Sequence, residues 1–240
     1  IRGTVDMKQE MRIRFGYADA MPWVRQIVEE AGPGIIAVAG PDAVVIRGPK
    51  LNAADHAHVS EFSVSEGETV DITLTWYPSH RVAPARLDVN KVLESTTAWW
   101  TNWADSCTHP ADRYEDAALR SLLVLRALTH EDTGGIVAAA TTSLPEQWGG
   151  VRNWDYRFVW LRDASSTLDA LLSRGFHSEA ATWRRWLLRA IAGDPGDIQI
   201  MYGLGGERDL TEMTVDSLPG YRGAAPVRKG NGAYTQYQGD

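Results

Sequence analysis

The apolar residues of this chain keep two different periods, and the switch between them near Leu87 decides what it can fold into. Upstream they recur every second residue. Met11, Ile13 and Phe15 alternate with Arg12 and Arg14, and Val70 to Trp76 alternates strictly between Gly67 and Pro78. Ile35 to Ala39 and Ala43 to Ile46 are short apolar runs divided by Gly40-Pro41-Asp42. Successive side chains of an extended chain point to opposite faces, so alternation marks a half-buried strand. Several such strands, punctuated by Gly, Pro and Asp, indicate an antiparallel sandwich or sheet stack.

Pro78, His80, Arg81 and Pro84 interrupt that pattern, and the helical period follows. Leu87 to Asp105 reads as a helix carrying Trp99, Trp100 and Trp103. Asp112 to Glu115 has the residue order of a capping box. Ala117 to Leu128 is apolar on nearly every face, which predicts a helix buried all round. A further helix is expected from Asp163 to a terminating Gly175. Ser178 to Ile191 is amphipathic, with Ala180, Trp183, Leu187 and Ile191 on one face and Arg184, Arg185 and Arg189 elsewhere. Buried and half-exposed helices in alternation suggest inner and outer layers. The last fifty residues are rich in Gly and Pro and read as long loops, which are often functional. The expected division is a β domain over 1–86, a linker helix over 87–111 and a helical domain over 112–240.

Composition excludes several partners. A net charge of −7 argues against nucleic acid. No run of about 18 apolar residues exists to span a membrane. The single Cys107 permits no internal disulfide, which fits a cytoplasmic location. The chain begins at Ile1, and a longer parent protein is expected. A homo-oligomer is compatible with all of this.

The densest chemistry lies between Arg152 and Asp163, where ten of twelve residues are aromatic, charged or amide-bearing. Sugar recognition needs that mixture. A pyranose offers an apolar face that stacks on Trp or Tyr, and a ring of hydroxyls that bond to carboxylates, amides and guanidinium groups. The plainer alternative makes Asp163 an ordinary helix cap and the tryptophans core. Other candidates are weaker. Gly203-Leu204-Gly205-Gly206 lacks the third glycine of a dinucleotide loop, because Arg208 occupies that place. His56 and His58 have no third ligand nearby, Cys107 has no catalytic signature, and no metal or cofactor is implied. Glu146, Glu207, Asp209 and Glu212 lie in loop-rich regions, but spacing selects no acid–base pair among them.

Three segments, Gly134 to Glu146, Gly149 to Arg157 and Trp160 to Asp163, together resemble glycoside hydrolase family 15, which includes glucoamylases, glucodextranases and a bacterial trehalase branch. Gly206-Glu207-Arg208, Leu218 to Gly223, Pro226 to Arg228 and Gly230-Asn231 are similar to its bacterial members. Gly230 to Gln236 looks most like the trehalase branch. The resemblance implies an N-terminal antiparallel β-sandwich, a linker helix and the first helices of an (α/α)6 barrel. It implies an inverting α-glucoside hydrolase, with trehalose or an α-glucan as small-molecule substrate. Both catalytic Glu residues are expected downstream of Asp240. Tyr156 and Trp160 would wall the glucose site, and Arg162 and Asp163 would bind its hydroxyls. Trp154, Asp155, Arg228 and Asn231 are the remaining candidate sugar-binding residues. The readings weighed against a trehalase are a glucoamylase or glucodextranase, a non-catalytic carbohydrate-binding relative, and a helical interaction domain whose Trp154 and Trp160 are core with no adjacent pocket.

Overall fold

A computed structural model describes residues 2–109 and 113–237. The chain divides into two compact units, Ile1–Thr97 and Ala98–Asp240.

The first unit is antiparallel throughout. β1 (Thr4–Met11), β5 (Asn52–Ala54) and β6 (Ala57–Ser65) form a three-stranded sheet in the order β1-β6-β5. β2 (Trp23–Glu29), β3 (Gly32–Ala39), β4 (Asp42–Arg47) and β7 (Thr73–Pro78) form a four-stranded sheet in chain order. The Gly40-Pro41 turn appears as expected. Ala39 pairs with Asp42 across it, and Gly40 adopts φ +58, which glycine tolerates. Both faces of β3 and β4 are buried. Ile35, Ala37, Val44 and Ile46 pack with Leu51 and with Met11, Ile13, Phe15 and Val24. Ile36, Val45 and Tyr77 pack on the other face with Ile27, Val38 and Ala83.

A buried arginine ties this sheet to the chain that leaves it. Arg47, 3% exposed, donates from Nε and Nη2 to both Glu29 oxygens, each at 2.7 Å, and from Nη2 to Pro84 O at 2.8 Å. Gly34 makes the crossing possible, because a Cβ there would lie 2.8 Å from Ile46 O and 3.3 Å from Arg47 Cγ. The hydrogen bond from Arg47 holds the Glu29 carboxyl below its ordinary range.

Two strand expectations need correction. The alternating run 70–76 enters the sheet only at Thr73, and its apolar residues Leu74 and Trp76 stay exposed while Tyr77 is buried. β7 is the sheet edge, and the cover over the neighbouring strands stops short of it. Met11 ends β1, and Ile13 and Phe15 continue as irregular chain under the sheet.

The second unit is mainly helical. α1 (Val89–Asp105) spans the division between units; α2 (Glu115–Ala127), α3 (Leu161–Leu172) and α4 (His177–Ala190) follow. α3 buries Ala164, Thr167, Leu168 and Leu171, the spacing of one helix face. Its exit is closed by Gly175 at φ +92, where a Cβ would collide with Thr108. Trp186 of α4 is the largest fully buried side chain and packs with Ile136, Val159, Ala164, Leu168 and Tyr202. Its Nε1 donates to Leu204 O at 2.8 Å. Ala180, Trp183, Leu187 and Ile191 flank this cluster and are partly buried.

α2 departs from expectation. Only Leu122 and Arg126 are buried, and Val124 is 52% exposed. Leu122 meets Leu171 and Phe176, and nothing among the described residues covers the opposite face. The helix begins at Glu115 with Tyr114 as its N-cap, so Glu115 is not the third residue of a capping box. Asp112 lies outside the described residues.

Glu179, at the start of α4, joins α1, α2 and α4. It accepts from Trp103 Nε1 at 2.6 Å and from Ser178 Oγ at 2.7 Å, with Arg126 Nε at 3.6 Å. Trp103 also stacks on Phe176 at 4.2 Å. Burial raises the Glu179 pKa, but the hydrogen bonds and Arg126 outweigh it, leaving the carboxyl below its ordinary 4.5. A depressed native pKa stabilises above the unfolded value, and that stability is lost as pH falls through the native one. Glu179→Gln should therefore lower stability at pH 7 by about 1–3 kcal/mol. In thermal denaturation against pH, its deficit relative to wild type should narrow below about pH 4.5.

Candidate functional site

The site begins with two stretches of chain laid side by side. Ala138 N donates to Phe158 O, Ala139 N to Tyr156 O, and Ser143 N to Trp154 O. This holds 154–158 extended, so alternate side chains part to opposite sides. Trp154 and Tyr156 face a cleft, and Asp155 between them is driven inward to 0% exposure. The short strand β8 (Val159–Trp160) follows, paired with β9 (Met201–Tyr202). α3 starts directly after β8, which sets Arg162 and Asp163 in its first turn. Asp163 is not the N-cap; Trp160 is.

The second wall comes from β10 (Met213–Thr214), β11 (Arg228–Lys229) and the chain beside them. Gly230, at φ +79, passes so close to 210–211 that a Cβ would overlap Thr211 O. Asn231 is then placed to join the walls. Its N donates to Leu210 O at 2.9 Å and its Nδ2 to Asp155 O at 3.0 Å, while its Oδ1 caps Ala233 N at 3.0 Å.

Between the walls lies a cleft of ≈560 Å³, lined by Ala138, Trp154, Tyr156, Trp160, Arg162, Asp163, Glu212, Asn231, Gly232, Ala233 and Gln236. That is the size range of small-molecule sites, about 300–1,000 Å³. The Tyr156 and Trp160 rings form a corner, with centroids 6.0 Å apart and planes at 45°. Arg162 Nη2 donates to Asp163 Oδ2 at 3.2 Å. Tyr156 Oη donates to Glu146 Oε1 at 3.3 Å, and burial together with the Glu146 charge raises the phenol pKa, so it remains a neutral donor. An aromatic corner beside a carboxylate and a guanidinium suits a ligand with one apolar face and a hydroxylated edge. The interaction-domain reading, which left Trp154 and Trp160 without an adjacent pocket, does not hold.

Six of the eight candidates thus share the cleft. Asp155 and Arg228 stand behind it. Asp155 accepts from Arg157 Nε at 2.8 Å, Arg157 Nη2 at 2.7 Å and Gly230 N at 3.1 Å. Arg228 donates to Val151 O at 2.9 Å and Asn153 O at 3.2 Å, and its guanidinium lies 4.5 Å from the Trp154 ring centroid.

The four loop acids are now distinguishable. Glu207 folds over Gly203 and Gly205 and accepts from Gly205 N at 2.9 Å, which gives those glycines a role in a turn. Asp209 accepts from the Thr211 backbone and hydroxyl. Glu146 meets Tyr156, and only Glu212 lines the cleft. Glu212 stood out in the sequence only as one of four loop acids that spacing could not tell apart, and Gln236 was not a candidate, because the loop crossing at Gly230 that delivers them is not a local pattern. Among the described residues no group of three or more His, Cys, Asp or Glu is placed to hold a metal.

The geometry separates support from lining. Asp155→Ala leaves the Gly230 N–H without its acceptor and should cost about 1–3 kcal/mol in denaturant unfolding. Asp163→Ala removes only a first-turn acid and should cost under about 1 kcal/mol.

The family described as "Glycosyl hydrolases family 15" matches residues 112–240. A "Trehalase" from Mycolicibacterium smegmatis is 40% identical over 184 residues, covering 74% of this chain and 27% of the relative. A "Trehalase" from Mycobacterium tuberculosis is 39% identical over 184 residues, covering 74% of this chain and 26% of the relative. A "Trehalase" from Thermoplasma volcanium is 43% identical over 148 residues, covering 62% and 23%. The chain therefore spans about a quarter of the length of these curated relatives. No solved structure matches it. A match over more than half of its residues places the chain in glycosyl hydrolase family 15.

Proposed function

We propose that the whole protein carrying this chain is an inverting α,α-trehalase, and that the cleft holds one glucose unit of trehalose. The observation that carries the reading is the convergence of Tyr156, Trp160, Arg162 and Asp163 on one cleft of small-molecule size. The relatives named trehalase support the choice of substrate. Trp160 and Tyr156 would take the apolar face of the ring. Asp163 would accept hydroxyl hydrogen bonds, and Arg162 would steady its carboxylate while donating to the sugar.

Inversion requires an acid on one side of the scissile bond and a base with its water on the other, about 6.5–9.5 Å apart. The resemblance to the family assigns that pair to the remainder of the whole protein, downstream of Asp240. The helices then belong to an (α/α)6 barrel and the two sheets to a β-sandwich, with domains at 1–86, 87–111 and 112–240. The lone Cys107 fits a reducing, cytoplasmic setting.

Trehalose and maltotriose, followed in parallel by anomeric proton NMR, test the reading. Trehalose should give equal α- and β-glucose in the first minutes, with maltotriose untouched. β-Glucose from maltotriose alone would move the activity to an α-glucan hydrolase, and no glucose from either would leave a binding role. A hydrogen bond to a charged group is worth about 1.5–3 kcal/mol, so Asp163→Ala should lower kcat/KM by about ten- to a hundredfold.

A further inference from the structure

We infer that Glu212 is a second sugar-binding carboxylate, facing the ligand from the wall opposite Asp163 and setting which hydroxylated ring the cleft accepts. This rests on the cleft being the sugar site.

The carboxylate is surplus to the architecture around it. Oε1 lies 3.0 Å from Arg228 Nε, but off the line of an aligned hydrogen bond, so the Nε–H keeps no aligned acceptor. Oε2 accepts a long 3.3 Å bond from Gly232 N. Arg228 does not need Glu212 to stay in place, because Val151 O, Asn153 O and the Trp154 ring hold its guanidinium. Glu207 and Asp209, by contrast, each turn one oxygen back onto close contacts in their own loops and do not line the cleft.

A carboxylate has about four lone-pair positions and accepts only. A close ion pair with Arg228 and one long hydrogen bond leave Glu212 with acceptors to spare, 28% exposed in a cleft where Asp163 offers the same chemistry on the other wall. A ligand that satisfies both must carry hydroxyl donors on two edges of one ring, with an apolar face for Tyr156 and Trp160. A pyranose does. Arg228, behind Glu212, balances the second negative charge.

Glu212→Gln in the whole protein tests this. The side chain keeps its size and loses one acceptor. The inhibition constant for glucose should rise about tenfold or more, and kcat/KM for trehalose should fall by about ten- to a hundredfold. The decisive readout is the set of monodeoxyglucoses used as inhibitors of wild type and variant. One of them, lacking the hydroxyl that Glu212 takes, should bind both proteins equally, while the others weaken in the variant as glucose does. If glucose and every deoxyglucose weaken by one common factor, Glu212 acts only through the surrounding structure and the inference is wrong. If Glu212→Gln leaves glucose inhibition unchanged while Asp163→Asn weakens it, the inference fails and the sugar site stands. If neither substitution changes it, both fail. Should Glu212→Gln not fold, Glu212→Asp, which withdraws the carboxylate by one methylene, must show the same selective loss with the same deoxyglucose.

Discussion

The cleft depends on one buried carboxylate. Asp155 is fully enclosed, clasped by the Arg157 guanidinium and bonded to Gly230 N, while its backbone oxygen takes Asn231 Nδ2. Those contacts bring together stretches of chain about seventy-five residues apart. Together with the Arg228 bonds to Val151 O and Asn153 O, they hold the aromatic wall at 154–160 against the loop at 209–236. A charge so deeply buried is tolerated only because its partners satisfy it. The cleft is therefore built on a polar core, with the groups that line it projecting from that core.

The surrounding unit packs against that arrangement. Trp186 fills the space beneath β8 and the start of α3, and Gly135 leaves room for its indole, since a Cβ there would lie 3.1 Å from Nε1. Glu179 ties three helices together through Trp103, Ser178 and Arg126. Several of the ten tryptophans thus serve the scaffold, whereas Trp154 and Trp160 edge the cleft. A count of aromatics could not divide them.

Much was legible before any coordinates. The change of period near Leu87 separated sheets from helices, and the β3–β4 turn and Gly175 lay where their residue types required. The dense run of aromatic and charged residues at 152–163 lay where the structure places the cleft wall. Coverage was less readable. Leu74 and Trp76 alternate as a buried face would, yet they lie on an edge strand that nothing described covers. The run from Ala117 to Leu128 is apolar on nearly every face, yet Val124 is exposed. Within the motif, Asp155 and Asp163 look alike as sequence. One is core because the chain is extended there, the other faces the cleft because a helix has begun. Glu212 was hidden for a different reason: its place is decided by Gly230 crossing Thr211, a contact between distant segments.

The central claim is that this cleft holds a glucose ring. A crystal structure of the whole protein with glucose bound tests it directly. The account predicts the ring's apolar face against Trp160 or Tyr156, with the Asp163 carboxylate within about 3 Å of a sugar hydroxyl. Glucose found elsewhere, with this cleft empty or occupied only by solvent, would contradict it.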